Sequence, residues 1–165
     1  MRWNTLKIEV KWALLFTAMG LLWMVLERIT GLHSTYLDYQ MYLTNLFAIP
    51  AIAVMVAALR DKKKNFYHGV MTYKQGLISG SILSTGIALC SPAAQWITSY
   101  VISPHYFSRV IQRSVELGYY RDTAAAAAHF NYANFAVQGA IGAWVMGILT
   151  TAIAMFFIKS RRGQA

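Results

Sequence analysis

Glu27 and Arg28 stand side by side in the stretch WMVLERITGLHS, at the end of a long apolar run. A carboxylate inside such a run is costly unless it is paired or hydrated, so it marks a site able to hold a cation, a proton or a polar headgroup. Neighbouring helical residues point in different directions, so the two charges do not face one another. Trp23, Glu27 and Gly31 share one stripe at i+4 spacing, while Arg28 has a stem long enough to reach outward to water or phosphate.

The other groups able to do chemistry are His33, His105 and His129, with Asp38, Glu116 and Asp122. No two of these have metal-ligand spacing on one helix, so the histidines read as solvated or interfacial and no metal or cofactor is expected. There is no phosphate loop, nucleophile elbow or metalloprotease motif, and the expectation is a non-enzymatic protein. The single cysteine, Cys90, lies in an apolar run and cannot form an internal disulfide.

The elements that must position these groups are apolar. The 165 residues are 57% hydrophobic and 13% charged, and mean hydropathy is +0.41. A soluble domain carries about 25% charged residues. One domain is expected, with lipid as its solvent. About 20 apolar residues make a helix long enough to cross a bilayer. Four segments qualify, at about 11–32, 40–59, 73–102 and 131–158. The predicted fold is an all-α membrane protein, a four-helix transmembrane bundle. Pro50 and Pro92 fall inside the second and third spans, where neighbouring helices can recover the freed carbonyls. The run after MRWNTLK is long and lacks a cleavage site, so it reads as a retained first helix.

Basic residues set the orientation. Arg2, Lys7, Lys11, Arg60, Lys62, Lys63, Lys64, Lys74, Lys159, Arg161 and Arg162 fall on one side, and only Arg28, Arg109, Arg113 and Arg121 on the other. Both termini are therefore expected in the cytoplasm of a bacterium, with the chain in its inner membrane. The whole net charge of +9 belongs to that inner face. Lys62, Lys63, Lys64, Arg161 and Arg162 are expected to touch anionic lipid headgroups, and no nucleic-acid partner is expected.

Between the third and fourth spans lies an outer, periplasmic helical segment at about 104–129. Ser103 is a candidate N-cap with Pro104 at the first helical position and Gly118 as the stop. Tyr106, Phe107, Val110, Ile111 and Val115 recur on one face and Arg109, Gln112, Arg113 and Glu116 on another, so this helix is amphipathic and either packs on the bundle or lies on the membrane surface. Asp122 or Thr123 can cap the alanine run that follows. That run is a strong helix former and is expected to continue into the fourth span.

Small residues allow close helix packing in lipid. Gly76, Gly80 and Ser84 form one such stripe, and Gly139, Ala143, Gly147 and Thr151 another. The two stripes either meet within one chain or serve a second copy or partner subunit. At about 1.5 Å per residue, Glu27, Asn45, Ser91, Gln95 and Gln138 all come roughly 22–32 Å from the inner flanking charges. They form a candidate polar layer. It is either a set of interhelical hydrogen bonds or the floor of a pocket open to the outside, with Glu27 facing Asn45, Gln95 or Gln138.

The order of features resembles a family of small membrane proteins of Bacteroidota, domain of unknown function 4199. The resemblance rests on WALLFTAMGLLWMVLERITGLH, then RDKKK, then MTYKQGLISGSIL, a span ending in VISPHYF and a last span ending in IKSRR. It implies four helices in the inner membrane and brings no activity, cofactor or catalytic residue. The AAAAAHF segment departs from the pattern. The leading expectation is an accessory or scaffold subunit acting through helix packing with itself or a larger complex. The alternatives are a small oligomeric transporter or channel using the layer around Glu27, and a lipid-binding or lipid-acting protein.

Overall fold

The computed structural model describes residues 6–160, so Arg161 and Arg162 lie outside the described residues. Among those described, all regular structure is helical. Four segments are long and apolar enough to cross a membrane: Lys7–Ile29, Leu37–Asn65, Tyr73–Ile102 and Thr123–Ile158. The bundle has a terminal end, where the first and last helices begin and finish, and a cap end carrying the loops that follow the first and third spans.

Helix α1 (Lys7–Ile29) stops at Gly31, whose φ of +82° suits glycine and strains other residues. The Leu32 amide donates to the Glu27 carbonyl at 2.9 Å and the Gly31 amide to the Arg28 carbonyl at 3.1 Å. This pair of bonds satisfies the helix end and turns the chain back beneath it. Helix α2 (Leu37–Leu43), a 3-10 turn (Thr44–Phe47) and α3 (Ala48–Asn65) follow as the second span. The tighter turn lies just ahead of Pro50, which has no N–H to give to a carbonyl one turn back.

Helix α4 (Tyr73–Ile97) begins with a capping box: Gln75 N–H donates to the Thr72 hydroxyl at 3.2 Å, and Thr72 N–H to the Gln75 side chain at 2.8 Å. Beyond Pro92 it widens into a π turn (Thr98–Ile102). Helix α5 (Tyr106–Glu116) is amphipathic, as its sequence predicts, but Ser103 does not cap it. The Ser103 hydroxyl is engaged by His33 instead, and α5 starts two residues later than Pro104 would suggest.

Helix α6 (Thr123–His129) is capped by Asp122, which accepts from the Ala125 amide at 2.8 Å. The expected unbroken helix into the fourth span is not found. Asn131 Nδ2 donates to the Ala127 and Ala128 carbonyls at 3.2 and 3.0 Å, while its oxygen accepts from the Asn134 amide at 2.9 Å. One side chain thus ends α6 and starts α7 (Tyr132–Ile158), making a corner where alanine propensity alone favours a straight helix. The Ala125 amide and then Arg121 hold the Asp122 carboxyl below the usual carboxylate range. A depressed folded-state pKa contributes stability above the unfolded value and loses it as pH falls through the folded one. Hydrogen-exchange protection of residues 124–128 is therefore expected to drop below about pH 4, and Asp122→Asn is expected to remove that dependence while keeping a cap.

The largest helix contact is between α4 and α7. Both small-residue stripes are used in it. A Cβ on Gly76 would meet Met155, one on Gly80 would meet Thr151, and one on Gly147 would meet Ser84, each at an impossible separation. Farther along, Gly139 lies against Ser91, whose hydroxyl would be 3.0 Å from an added Cβ. Ala143 packs beside the apolar cluster of Ala13, Met55, Ala58, Leu83 and Ile87, which fills the middle of the bundle. A second cluster, Leu59, Met71, Ala154, Met155 and Ile158, closes the terminal end.

Candidate functional site

Two buried carboxylates define the polar sites of the bundle, and both are on α1. Glu9 and Glu27 lie five turns apart at about 3.6 residues per turn, so they share one face, roughly 27 Å from each other. They are 4% and 2% exposed.

At the terminal end, Glu9 Oε1 accepts from the Ser79 hydroxyl at 2.6 Å and lies 2.8 Å from Lys62 Nζ, which also reaches Oε2 at 3.0 Å. The Lys62 ammonium lies 3.9 Å from the centre of the Phe66 ring. The pair joins α1, α3 and α4. Lys62 is 3% exposed, so the expectation that it touches lipid headgroups is overturned. The reason is helical phase: Met55, Ala58, Leu59 and Lys62 form one buried stripe. Lys63 donates to the Ile158 carbonyl at 2.7 Å, a favourable place for a cation at the end of α7. Lys64 alone of the three is exposed.

At the cap end, Glu27 Oε1 accepts from the Trp23 indole at 2.6 Å, and Oε2 lies 3.0 Å from His33 Nε2. The other imidazole nitrogen, Nδ1, is 2.6 Å from the Ser103 hydroxyl. A carboxylate only accepts, so His33 carries its proton on Nε2, and Nδ1 accepts from Ser103. His33 is buried by the turn at Gly31, which overturns its reading as a solvated histidine. Two arginines hold the surrounding backbone: Arg109 donates to the His33 carbonyl at 3.1 Å and Arg28 to the Val101 carbonyl at 3.3 Å. Arg28 is exposed, as its snorkelling stem predicts.

A cavity of about 710 Å³ opens beside this chain. The polar side chains of its wall include Glu27, His33, Thr44, Gln95 and Ser99, and the apolar ones Met24, Leu37, Met41, Val110, Phe130 and Phe135. At its mouth Arg113 grips Asp38 with two bonds of 2.8 and 2.6 Å, joining α5 to α2. Asp38 and then Glu116 hold the Arg113 guanidinium charged well above its ordinary range. Tyr106 donates to Gln40 at 3.0 Å, and burial raises its phenol pKa. On the far side of Glu27 an almost wholly apolar groove of about 450 Å³ is walled by Trp23, Leu26, Tyr36, Tyr39, Leu43 and Leu46.

The predicted polar layer is only partly assembled. Gln95 is in the cavity wall, where it donates to Ser99 at 3.0 Å. Asn45 is exposed and donates to the Met41 carbonyl one turn back in the same span at 2.8 Å. Gln138 is exposed on α7, and Ser91 belongs to the α4–α7 contact. Neither Asn45 nor Gln138 meets Glu27; their depth matches but their direction does not. Thr44, the neighbour of Asn45, faces the carboxylate instead. The residues missed from sequence are His33 and Ser103, and the available signal was Gly31 followed by Leu32, the pattern of a helix end that doubles back. Among the described residues no three metal-ligating side chains come together.

No curated protein and no solved structure matches the chain. The family model described as a protein of unknown function (DUF4199) matches residues 11–160, covering the polar site at the cap end and most of the bundle, and the chain belongs to that family.

Proposed function

We propose that this protein lies in the inner membrane with both termini in the cytoplasm and holds a lipid-like amphiphile in the cap-end cavity. The observation that carries this reading is the mixed cavity wall, with apolar side chains from α1, α2, α5 and α7 beside polar groups that include Glu27, His33, Gln95 and Ser99 and the Asp38–Arg113 ion pair. Cavities that bind amphiphiles combine such apolar walls with a few placed polar groups. The basic residues at the terminal end support the orientation.

The accessory-subunit reading draws on free small-residue stripes, and those named here are taken up between α4 and α7. A small oligomeric transporter would need a path between copies, since the cluster around Ala13, Leu83 and Ile87 fills the middle of one chain. Lipid binding needs neither.

Val110 lines the cavity from α5 and is half-buried. Val110→Trp is expected to fill part of the space and to lower co-purified lipid, read by native mass spectrometry of the protein released from nanodiscs, by about tenfold, with the helical content unchanged. Wild-type protein released without lipid, or a variant that retains as much, would overturn the reading.

A further inference from the structure

Ser103, His33 and Glu27 make a continuous hydrogen-bonded series, hydroxyl to imidazole to carboxylate, with links of 2.6 and 3.0 Å. They come from three separate parts of the chain: the end of α1, the turn after it and the residue that closes the π turn. We propose that this series is a nucleophilic centre that cleaves a carboxylic ester of an amphiphile. The proposal rests on the cavity as the place where the amphiphile is held.

The chemistry follows from the tautomer. With Nε2–H directed at Glu27, Nδ1 is the base that draws the proton from Ser103 Oγ. The oxygen adds to the ester carbonyl carbon, the C–O bond to the alcohol breaks, and the alcohol leaves with the proton from Nδ1. Water then adds to the acyl-serine, gives its proton to the same nitrogen and releases the acid as Ser103 regains its hydrogen. The products are one acid and one alcohol, and water is the only co-reactant. Glu27 is a positioning residue: it fixes the tautomer and faces the positive charge that forms on the ring. Trp23 holds its second oxygen in place.

The surroundings suit an ester more than a charged substrate. Ser103 is 6% exposed and His33 3%, so the reacting atoms are shielded from bulk water. His33 and Ser99 line the cavity, and the Ser103 hydroxyl, bonded to the His33 ring, lies next to that wall without itself forming part of it. Each of these features lies at the cap end of the bundle.

The test uses full-length protein in nanodiscs of phosphatidylethanolamine and phosphatidylglycerol, treated with a biotinylated fluorophosphonate. Wild type is expected to take the label on Ser103, located by peptide mass spectrometry, and Ser103→Ala and His33→Gln to take none while keeping their helical circular dichroism. Hydrolysis of p-nitrophenyl octanoate is expected to fall by about 10²-fold or more in both. Imidazole in the buffer is expected to restore part of the labelling in His33→Ala, a rescue that a merely structural histidine would not show. Glu27→Gln is expected to label at least about tenfold more slowly than wild type and Glu27→Asp to recover part of that rate. Label that persists in Ser103→Ala would overturn the proposal. So would folded wild-type protein that retains lipid and takes no label, an outcome that leaves the cavity reading standing. The wild-type arm decides the matter even where a variant fails to fold.

Discussion

Lys62→Met is expected to destabilise the protein by about 3–5 kcal/mol, because it leaves the Glu9 carboxylate inside the bundle without its cation. Glu9 is 4% exposed, and the Ser79 hydroxyl at 2.6 Å is a dipole that cannot replace a full charge. Methionine matches the lysine stem in length, so the van der Waals contacts of α3 survive and the electrostatic loss is isolated. The double variant Lys62→Met/Glu9→Gln is expected to recover at least half of the loss, since exchanging a buried ion pair for uncharged residues is often close to neutral. The measurement is reversible unfolding in mixed micelles, read by circular dichroism for wild type, both single variants and the double. A single-variant loss below about 1 kcal/mol would mean that water reaches Glu9 and that the pair behaves like an exposed one. The same cycle separates this site from the one at the cap end, since Lys62→Met leaves the Glu27–His33–Ser103 series untouched.

Depth along a helix was legible in this sequence, and rotation about its axis was not. The four spans, the capping role of Asp122 and the register of the two small-residue stripes all follow from spacing along one element. Which way Asn45 and Gln138 point depends on which face of their helices meets a neighbour. Helix α7 is apolar on every side, so no amphipathic stripe fixes that face. Lys62 shows the opposite case: its stripe with Met55, Ala58 and Leu59 was present in the sequence, but a run of three lysines reads as a solvated turn. Ser103 was hidden by a competing signal. Serine before proline is a strong helix-start pattern, and only the doubling back at Gly31 brings His33 to claim the hydroxyl. The corner at Asn131 was hidden for the same kind of reason, since alanine propensity is local and the side-chain cap that interrupts it follows the run.

The α4–α7 contact carries the other large effect. A Cβ on Gly147 would collide with Ser84 Oγ and lie 2.9 Å from the Ser84 Cβ, while the Ser84 backbone stands off at 3.6 Å. The obstacle to a side chain at position 147 is therefore the serine side chain and not the opposing helix itself. Gly147→Ala is expected to force the helices apart and lower stability by about 1–3 kcal/mol, the range for overpacking a close contact. Ser84→Gly alone removes a fully buried side chain whose hydroxyl bonds the Gly80 carbonyl of its own helix at 2.7 Å, so its expected loss is about 1 kcal/mol, the helix cost of glycine. In the double variant Ser84→Gly/Gly147→Ala the new methyl group occupies the space that the serine side chain vacates, and the helices keep their separation. The two effects are then expected to be non-additive, with the double variant more stable than Gly147→Ala by about 1 kcal/mol. Additive losses in the same micelle unfolding assay would show that positions 84 and 147 do not meet. A second copy of the chain docked on this stripe would add a further signature, because Gly147→Ala would then make stability less dependent on protein concentration. With both stripes buried against each other in one chain, no such change is expected.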